Sequence, residues 1–218
     1  DELGLLLVQL LQQQHITPSQ VDAVCISNVV PTLTRTLDEL SRTCFKQQPM
    51  FVGPGMRSGI RTAYEDPRQV GADRIANAVA ARQLHGAPAI MVDFGTATTF
   101  DAINAAGDYL GGAIAPGIQI SHDALVSHAA RLVRVELTPP ESVIGRTTAS
   151  SMQAGLVFGY VGLVRELVRR FQDELGGGVK VIATGGLAAP MARLIDDIDV
   201  VDERLTLSGL LLIHRLNI

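Results

Sequence analysis

The sequence is poor in cysteine and has no cluster of metal-binding side chains. It contains two cysteines, Cys25 and Cys44, and its five histidines form no HExxH motif. Two cysteines in such a chain provide neither a disulfide framework nor a thiolate metal centre. These absences argue against a disulfide-rich secreted domain and against a transition-metal enzyme. They predict a protein of the reducing cytoplasm.

Long basic and long apolar runs are also missing. The net charge is −4, and the 18 lysine and arginine residues are spread along the chain rather than gathered into a stripe. A nucleic-acid-binding protein normally carries a basic stripe or patch. The longest charge-free apolar stretch, residues 154–164, is far shorter than the roughly 20 residues that span a bilayer. We therefore expect neither a nucleic-acid partner nor a membrane partner.

The apolar pattern predicts an α/β protein whose order of elements changes near residue 86. Before this point helices and short strands alternate, starting with a helix. After it, three consecutive strands precede the next helix, at residues 88–95, 97–105 and 109–115. Such a run indicates a β-meander that opens a mixed sheet. The second half then has the order β-β-β-α-α-β-α-β-α, and we place a domain boundary near residue 86.

Other elements follow from β-branched runs, helical spacing and glycine stops. The chain has neither a Walker-type loop nor a G-x-G-x-x-G motif, so a P-loop enzyme and a Rossmann dinucleotide binder are not expected. The remaining predictions include a strand at 21–30, helices at 32–45, 70–86 and 118–132, and one long helix that starts at Thr147 or Thr148 and stops at the glycines 176–178.

The hairpin "DFGTATTFD" combines a carboxylate, a glycine and hydroxyl groups at the end of an apolar strand. Gly95 lets backbone N–H groups approach an anion, and the Thr96 hydroxyl can donate to a phosphate oxygen. Asp93 can hold a cation or its bound water. The later "GGAIAPG" adds bare backbone near the same end of the sheet. The motif suits a nucleotide phosphate; the alternative is a tight hairpin whose threonines serve β propensity.

The segment "VGADRIANA" places Asp73 and Arg74 in the first turn of a helix. An acid at this position is stabilised by the helix dipole, which is the structural explanation for Asp73. The dipole does not explain Arg74, because a cation is unfavourable at the positive end of a helix. Arg74 is more naturally a binder of a carboxylate or phosphate, with Asp73 beside it to accept a hydroxyl proton.

Three weaker motifs accompany these two. The glycines Gly185 and Gly186 of "ATGG" follow a strand, where a ring or phosphate could lie against the backbone, although a plain strand-to-helix turn is more common. Tyr64 of "AYEDPRQVGADR" is either a loop aromatic or a pocket wall. The threonines of "GRTTASSMQAG" are by default helix N-caps.

The motifs "YEDPRQVGADR", "DFGTATTFD", "GGAIAPG", "GRTTASSMQAG" and "TGG" occur in one order at similar separations over essentially the whole chain. In this arrangement the chain resembles the type III pantothenate kinases. That family belongs to the acetate kinase, sugar kinase, Hsp70 and actin superfamily. The resemblance implies an α/β fold of two ribonuclease H-like domains with mixed sheets, at residues 1–86 and 87–218.

The resemblance implies ATP-dependent phosphorylation of pantothenate to 4'-phosphopantothenate, the first step of coenzyme A biosynthesis. In the family's Gly-Ala-Asp-Arg motif the acid is the general base, which corresponds to Asp73. If the enzyme kept its activity without Asp73, the next candidate for the general base would be Asp101 on the second strand of the hairpin. The resemblance also implies a pantothenate site lined by Asp73 together with Tyr64, Gly71, Ala72, Arg74 and Thr148.

The implied cofactors are ATP with Mg²⁺ and a monovalent cation, K⁺ or NH₄⁺. Asp93 would bind the monovalent cation, and Thr96 would contact ATP phosphate together with Gly95, Gly185 and Gly186. Members of the family are homodimers with the pantothenate pocket near the subunit interface. Thr148 would therefore act across the interface. Hydroxyls, backbone N–H groups, cations and one carboxylate are a sufficient set for phosphoryl transfer.

One part of the family pattern is not found in these 218 residues. The family's first domain opens with a strand-turn-strand that carries an Asp-x-Gly-Asn-Thr phosphate loop. The sequence begins on the helix that should follow this hairpin. We expect the 218-residue form to have little or no kinase activity and an upstream-extended chain to be active.

Two other functions are compatible with the same motifs. The chain could be a non-catalytic relative that keeps the fold as a binding or regulatory module, or another superfamily enzyme such as a sugar kinase or a phosphohydrolase. A non-catalytic relative need not keep Asp73, Arg74, Asp93 and Thr96. The "VGADR" segment with its upstream tyrosine and proline favours pantothenate over a sugar.

Overall fold

Helices surround a central mixed sheet. The structure, a computed structural model, describes residues 2–218. Five-residue π-helical turns prolong α2 and α3, and a third joins α5 to α6 into one continuous helix. The α-helices are α1 (Glu2–Gln13), α2 (Thr34–Leu40), α3 (Ala72–Ala80), α4 (Ile118–His128), α5 (Thr148–Gln153), α6 (Gly159–Leu175), α7 (Ala188–Ala192) and α8 (Leu205–Leu216).

The strands form one large sheet and one small one. They are β1 (Cys25–Ile26), β2 (Met50–Phe51), β3 (Ala89–Phe94), β4 (Ala97–Ile103), β5 (Tyr109–Pro116), β6 (Lys180–Thr184) and β7 (Val200–Val201). The large sheet has the order β5-β4-β3-β6-β7, and β1 pairs with β2 in parallel. Strands β3, β4 and β5 are antiparallel neighbours, whereas β6 runs parallel to both β3 and β7. This mixed sheet confirms the predicted α/β class and the predicted meander.

The large sheet is covered by helices on both faces. On one face Ile90, Val92 and Phe94 of β3 pack with Val164 and Val168 of α6. On the other face the alternate residues of β3 pack with alanines of α3 and with the first residue of α8, in a cluster that includes Ala78, Ala80, Ala89, Met91 and Leu205. Because side chains alternate along a strand, each residue of β3 is committed to one of these two layers.

The same alternation places two carboxylates on the α3 face of the sheet. Asp93 follows Met91 by two residues on β3 and therefore shares its face. Asp101 of β4 lies directly opposite Met91 in the antiparallel register, and residues directly opposite each other share a face. Helix α3 therefore crosses a part of the sheet that carries two acidic side chains.

Helices α3 and α8 approach each other closely. A Cβ atom built on Gly209 of α8 would overlap the carbonyl group of Ala76 on α3. Only glycine at position 209 lets the two backbones come this near. The contact joins helices from either side of residue 86, so the C-terminal helix packs against the N-terminal part of the chain. The domain boundary near residue 86 stays a prediction.

Most predicted helices and strands are present but are shorter than predicted, and two differ clearly from their predicted bounds. The strand predicted at 21–30 is limited to Cys25–Ile26, because its partner β2 offers only two residues for pairing. The helix predicted at 118–132 ends at His128, and residues 129–147 form neither helix nor strand. Thr147, rather than Thr148, is the N-cap of the long helix, and its side chain accepts a hydrogen bond from the Ser150 backbone.

Candidate active site

The first turn of α3 presents a carboxylate with one free oxygen. Gly71 is the N-cap of α3, and Oδ1 of Asp73 accepts a hydrogen bond from the backbone N–H of Arg74 at 2.9 Å. Within residues 2–218 no donor is hydrogen-bonded to Oδ2 of Asp73. A Cβ on Gly71 would overlap Asp73 Oδ1. Glycine at 71 therefore leaves the space in which the carboxylate folds back over the helix start.

A cleft of about 500 Å³ opens beside this turn, within the roughly 300–1,000 Å³ typical of small-molecule sites. Its walls include Val29, Gly53, Ile60, Gly71, Ala72 and Ile75. Gly71 and Ala72 were predicted to bind substrate, and they line the cleft. The other predicted substrate-site residues, Tyr64, Asp73, Arg74 and Thr148, are not among the lining residues. Gly53 was not predicted to line a site, although the "VGPG" sequence around it indicates a tight loop after β2.

Arg74 is held in a buried ion pair with Asp101. Its side chain is 8% exposed, and its Nε donates to Oδ1 of Asp101 at 2.8 Å. Tyr109 donates its hydroxyl to the same oxygen at 2.7 Å, and Thr99 donates to Oδ2 of Asp101 at 3.3 Å. The Nη2 atom of Arg74 lies 2.7 Å from Asp101 Oδ1 but is not aligned for a hydrogen bond. Arg74 thus anchors α3 to the sheet.

Tyr64 completes this cluster. Its ring centroid lies 6.4 Å from that of Tyr109, and a Cβ on Gly111 would lie 3.2 Å from the Tyr64 ring. Burial raises the pKa of the Tyr109 hydroxyl, and the charge of Asp101 acts in the same direction. Tyr109 therefore remains a hydrogen-bond donor to Asp101. The predicted contacts of Tyr64 and Arg74 with substrate stay predictions.

Asp93 lies at the end of β3 and is oriented by an asparagine of α3. Oδ2 of Asp93 accepts from Nδ2 of Asn77 at 3.0 Å, and Oδ1 of Asn77 accepts from the Thr206 hydroxyl at 2.7 Å. Asn77 was not predicted from the sequence. The available signal was its spacing, because a residue four positions after Asp73 lies on the same helix face.

The environment of Asp93 disfavours its negative charge. Burial raises the pKa of the Asp93 carboxyl above its ordinary value, the hydrogen bond from Asn77 opposes this change, and the charge of Asp73 adds to it. A group whose charged form is disfavoured by burial and by a second carboxylate gains from a nearby cation. The charge distribution at this end of β3 therefore suits a bound cation.

The glycine loops predicted to bind nucleotide meet around the end of β3. Gly185 follows β6 with φ +90, and a Cβ there would lie 2.5 Å from Oδ1 of Asp93 and 2.8 Å from the Phe94 backbone. Gly95 and Thr96 form the exposed turn of the β3–β4 hairpin. A Cβ on Gly186 would meet nothing within 4 Å, so this glycine borders open space. The structure thus brings together both predicted loops and Asp93.

Thr148 does not line the cleft. It is exposed in the first turn of α5, next to the N-cap Thr147. No hydrogen bond or ion pair among residues 2–218 joins it to α3. Its predicted role across a subunit interface stays a prediction.

The described part of the chain has neither a clustered metal site nor a membrane-spanning helix. Within residues 2–218 no group of three or more histidine, cysteine, aspartate or glutamate side chains could hold a metal ion. No helix in the same range is both long enough and apolar enough to cross a membrane. A cation at Asp93 would accordingly use backbone and ligand oxygens in addition to the carboxylate.

Substitution of Gly185 by alanine is expected to destabilise the protein by about 1–3 kcal/mol. The added Cβ would sit in a left-handed backbone conformation and press on Asp93 and Phe94. Gly186→Ala is the matched control, because its Cβ has open space, and we expect a change within about 0.5 kcal/mol. Urea denaturation measures both free energies of unfolding. Equal losses at the two positions would contradict the close contact at Gly185.

Comparison with known proteins gives a consistent result. The family model for type III pantothenate kinase matches residues 1–170. Proteins named type III pantothenate kinase from Anaeromyxobacter sp. (strain Fw109-5), Myxococcus xanthus and Moorella thermoacetica are 54%, 52% and 49% identical over 217 residues, covering 100% of this chain and 85% of each relative. A solved structure described as a Baf family transcriptional activator from Campylobacter jejuni is similar in fold, with TM-score 0.62, 23% identity and coverage of 90% of this chain and 83% of that one.

Proposed function

Because this chain belongs to the family of type III pantothenate kinases, we propose that Asp73 is the general base of its reaction. The enzyme phosphorylates pantothenate with ATP in coenzyme A biosynthesis. One observation carries the assignment of the base: Oδ2 of Asp73 is free, while Oδ1 is held by the Arg74 backbone. A base must reach the proton it removes, and Asp73 directly follows two residues that line the cleft.

In this proposal the cleft holds pantothenate with its hydroxyl group at Asp73. The carboxylate accepts the hydroxyl proton while the hydroxyl oxygen forms its bond to the γ-phosphorus and the bond to ADP breaks. The protein contributes chiefly by positioning and by neutralising charge. The buried pair of Arg74 and Asp101 supports this by fixing α3, and hence Asp73, on the sheet. Tyr64, Arg74 and Thr148 are assigned to the pantothenate site on the family resemblance.

The nucleotide is assigned to the loops around the end of β3. Backbone N–H groups of Gly185 and Gly186 and the hydroxyl of Thr96 are suited to phosphate oxygens, whereas the N–H of Gly95 already donates to the Ala97 carbonyl within the turn. Members of the family use ATP with a divalent metal, whose charge supports phosphoryl transfer. Asp93 is assigned to a monovalent cation, K⁺ or NH₄⁺. The shape of the site supports assigning the cation to Asp93, because Oδ1 of Asp93 faces residue 185, where only glycine is accommodated.

We also assign a homodimer and a cytoplasmic location. Val143, Ile144 and Phe158 lie on either side of Thr148 in sequence and are 67%, 77% and 36% exposed, so these apolar side chains are available for a protein interface. This supports a dimer in which Thr148 faces the partner's pocket. Cys25 and Cys44 are free thiols, which supports a reducing compartment.

An assay of acceptor and cation use tests the proposed function. With the upstream-extended chain, we expect ADP release with pantothenate in potassium chloride, a much lower rate in choline chloride of equal ionic strength, and no rate above background with glucose or N-acetylglucosamine. The readout is ADP formation coupled to NADH oxidation, with phosphopantothenate identified by mass spectrometry. Phosphorylation of a sugar without phosphorylation of pantothenate would overturn the assignment of the cleft. Equal rates in both salts would overturn the assignment of Asp93.

A further inference from the structure

Asn77 is a buried amide that connects three elements at the candidate active site. Its side chain lies on α3, 1% of the residue is exposed, and it contacts Asp93 at the end of β3 and Thr206 in the first turn of α8. A buried amide without partners costs free energy. Here both ends of the amide are hydrogen-bonded, so its position is defined by two elements besides its own.

The hydrogen bonds also fix which way the amide points. A carboxylate can only accept, so the group facing Asp93 must be the NH₂ group of Asn77. The hydroxyl of Thr206 then donates to the remaining Oδ1 at 2.7 Å. Rotating the amide by half a turn would set two acceptors against each other at Asp93. Asp93 therefore sets the orientation of the amide, and the hydrogen bond from Thr206 holds the amide in that orientation.

The contact with Asn77 distinguishes the two oxygens of Asp93. Oδ2 is occupied by the amide at 3.0 Å, whereas Oδ1 points to the glycine at 185. Asn77 and Asp73 lie one turn apart on the same face of α3. Asn77 is neutral, so it holds Asp93 without adding another negative charge to those of Asp73 and Asp93.

We propose that Asn77 and Thr206 are positioning residues that present Oδ1 of Asp93 to the monovalent cation. The inference rests on the proposed function, because it takes Asp93 as the cation-binding carboxylate. Groups that orient a metal ligand from behind typically change metal affinity or activity about 10- to 100-fold when removed. Helix α8 thereby contributes to the cation site through Thr206 without touching the cation.

The test uses a matched pair of variants at residue 206 in the upstream-extended chain. Thr206→Val keeps the shape of the side chain and removes the donor, whereas Thr206→Ser keeps the donor. We expect Thr206→Val to raise the potassium concentration for half-maximal activation about 10-fold, with the KM for pantothenate unchanged and most of kcat recovered in excess potassium. Thr206→Ser should behave as the wild type. Asn77→Ala should have the larger effect of the same kind.

A second readout does not depend on turnover. A bound cation stabilises the folded protein, so the wild type should melt at a higher temperature in potassium chloride than in choline chloride. Thr206→Val should lose most of this difference, and Thr206→Ser should retain it. If Thr206→Val lowers the melting temperature by the same amount in both salts and leaves the potassium requirement unchanged, the positioning role is overturned.

Asp93→Asn separates failure of this inference from failure of the proposed function. If Asp93→Asn abolishes the potassium dependence while Thr206→Val leaves it unchanged, only the positioning role is overturned. If Asp93→Asn keeps the wild-type potassium dependence, the cation assignment itself is overturned, and the inference with it. Because Thr206 is only partly buried, its variants keep the test available even if Asn77→Ala does not fold.

Discussion

Replacing Asp73 with asparagine in the upstream-extended chain is expected to reduce kcat by about 10²- to 10⁴-fold, the usual contribution of a general base. Asparagine has the same shape and its side-chain oxygen can still accept from the Arg74 backbone, but it cannot take up the hydroxyl proton. Pantothenate affinity should therefore be nearly unchanged. Steady-state ADP release gives kcat, and calorimetric titration with pantothenate gives the dissociation constant.

The control for this variant is Glu65→Gln, which removes an exposed carboxylate upstream of the same segment. We expect near-normal turnover from the control. Near-normal turnover of Asp73→Asn would contradict the assignment of the base. Asp101 would not easily replace it, because this carboxylate is fully buried and hydrogen-bonded by Arg74, Tyr109 and Thr99. Loss of pantothenate binding would instead make Asp73 a binding residue.

Replacing Asp101 with alanine is expected to destabilise the protein by about 3–5 kcal/mol, the cost of breaking a buried ion pair by removing one partner. The Arg74 guanidinium would remain buried without a counter-charge, and the hydroxyls of Tyr109 and Thr99 would lose their acceptor. For a chain of this size each kcal/mol corresponds to roughly 2–4 °C in melting temperature. Chemical denaturation measures the free energy of unfolding directly.

A double-mutant cycle separates the ion pair from ordinary packing. Arg74→Met combined with Asp101→Ala removes both charges, so the double variant should lose less stability than the sum of the two single variants. Asp101→Asn keeps an acceptor for Tyr109 and should fall between the wild type and Asp101→Ala. A loss of less than about 1 kcal/mol in Asp101→Ala would show that Arg74 finds another partner or reaches solvent.

The central sheet was predictable because its signals are local. Strands β3, β4 and β5 carry β-branched or apolar runs bounded by turn residues, and the observed ends differ from the predicted ones by at most two residues. The strand at 21–30 has the same composition but only two of its residues pair. The composition of a segment indicates that it can form a strand, but the length of that strand depends on a pairing partner elsewhere in the chain.

The candidate site was predictable only in part for the same reason. Asp73, Asp93 and the glycine loops stand out by residue type next to predicted element ends. The partners that orient them do not, because Asn77 and Thr206 are 129 positions apart. The pairing of Arg74 with Asp101 likewise depends on how α3 crosses the sheet. Sequence thus indicated which groups could act, and packing determines how they are held.

The packing of α8 on α3 also bears on synthesis of the protein at the ribosome. Asn77 meets Thr206, which is added 129 residues later, a delay of roughly 6–26 s at 5–20 residues per second. During this interval the nascent chain exposes the alanine-rich face of α3 that α8 will cover. Chaperones that bind exposed apolar helices would have access to this face. The hydrogen bond from Thr206 that holds the Asn77 amide toward Asp93 can form only after α8 has left the exit tunnel.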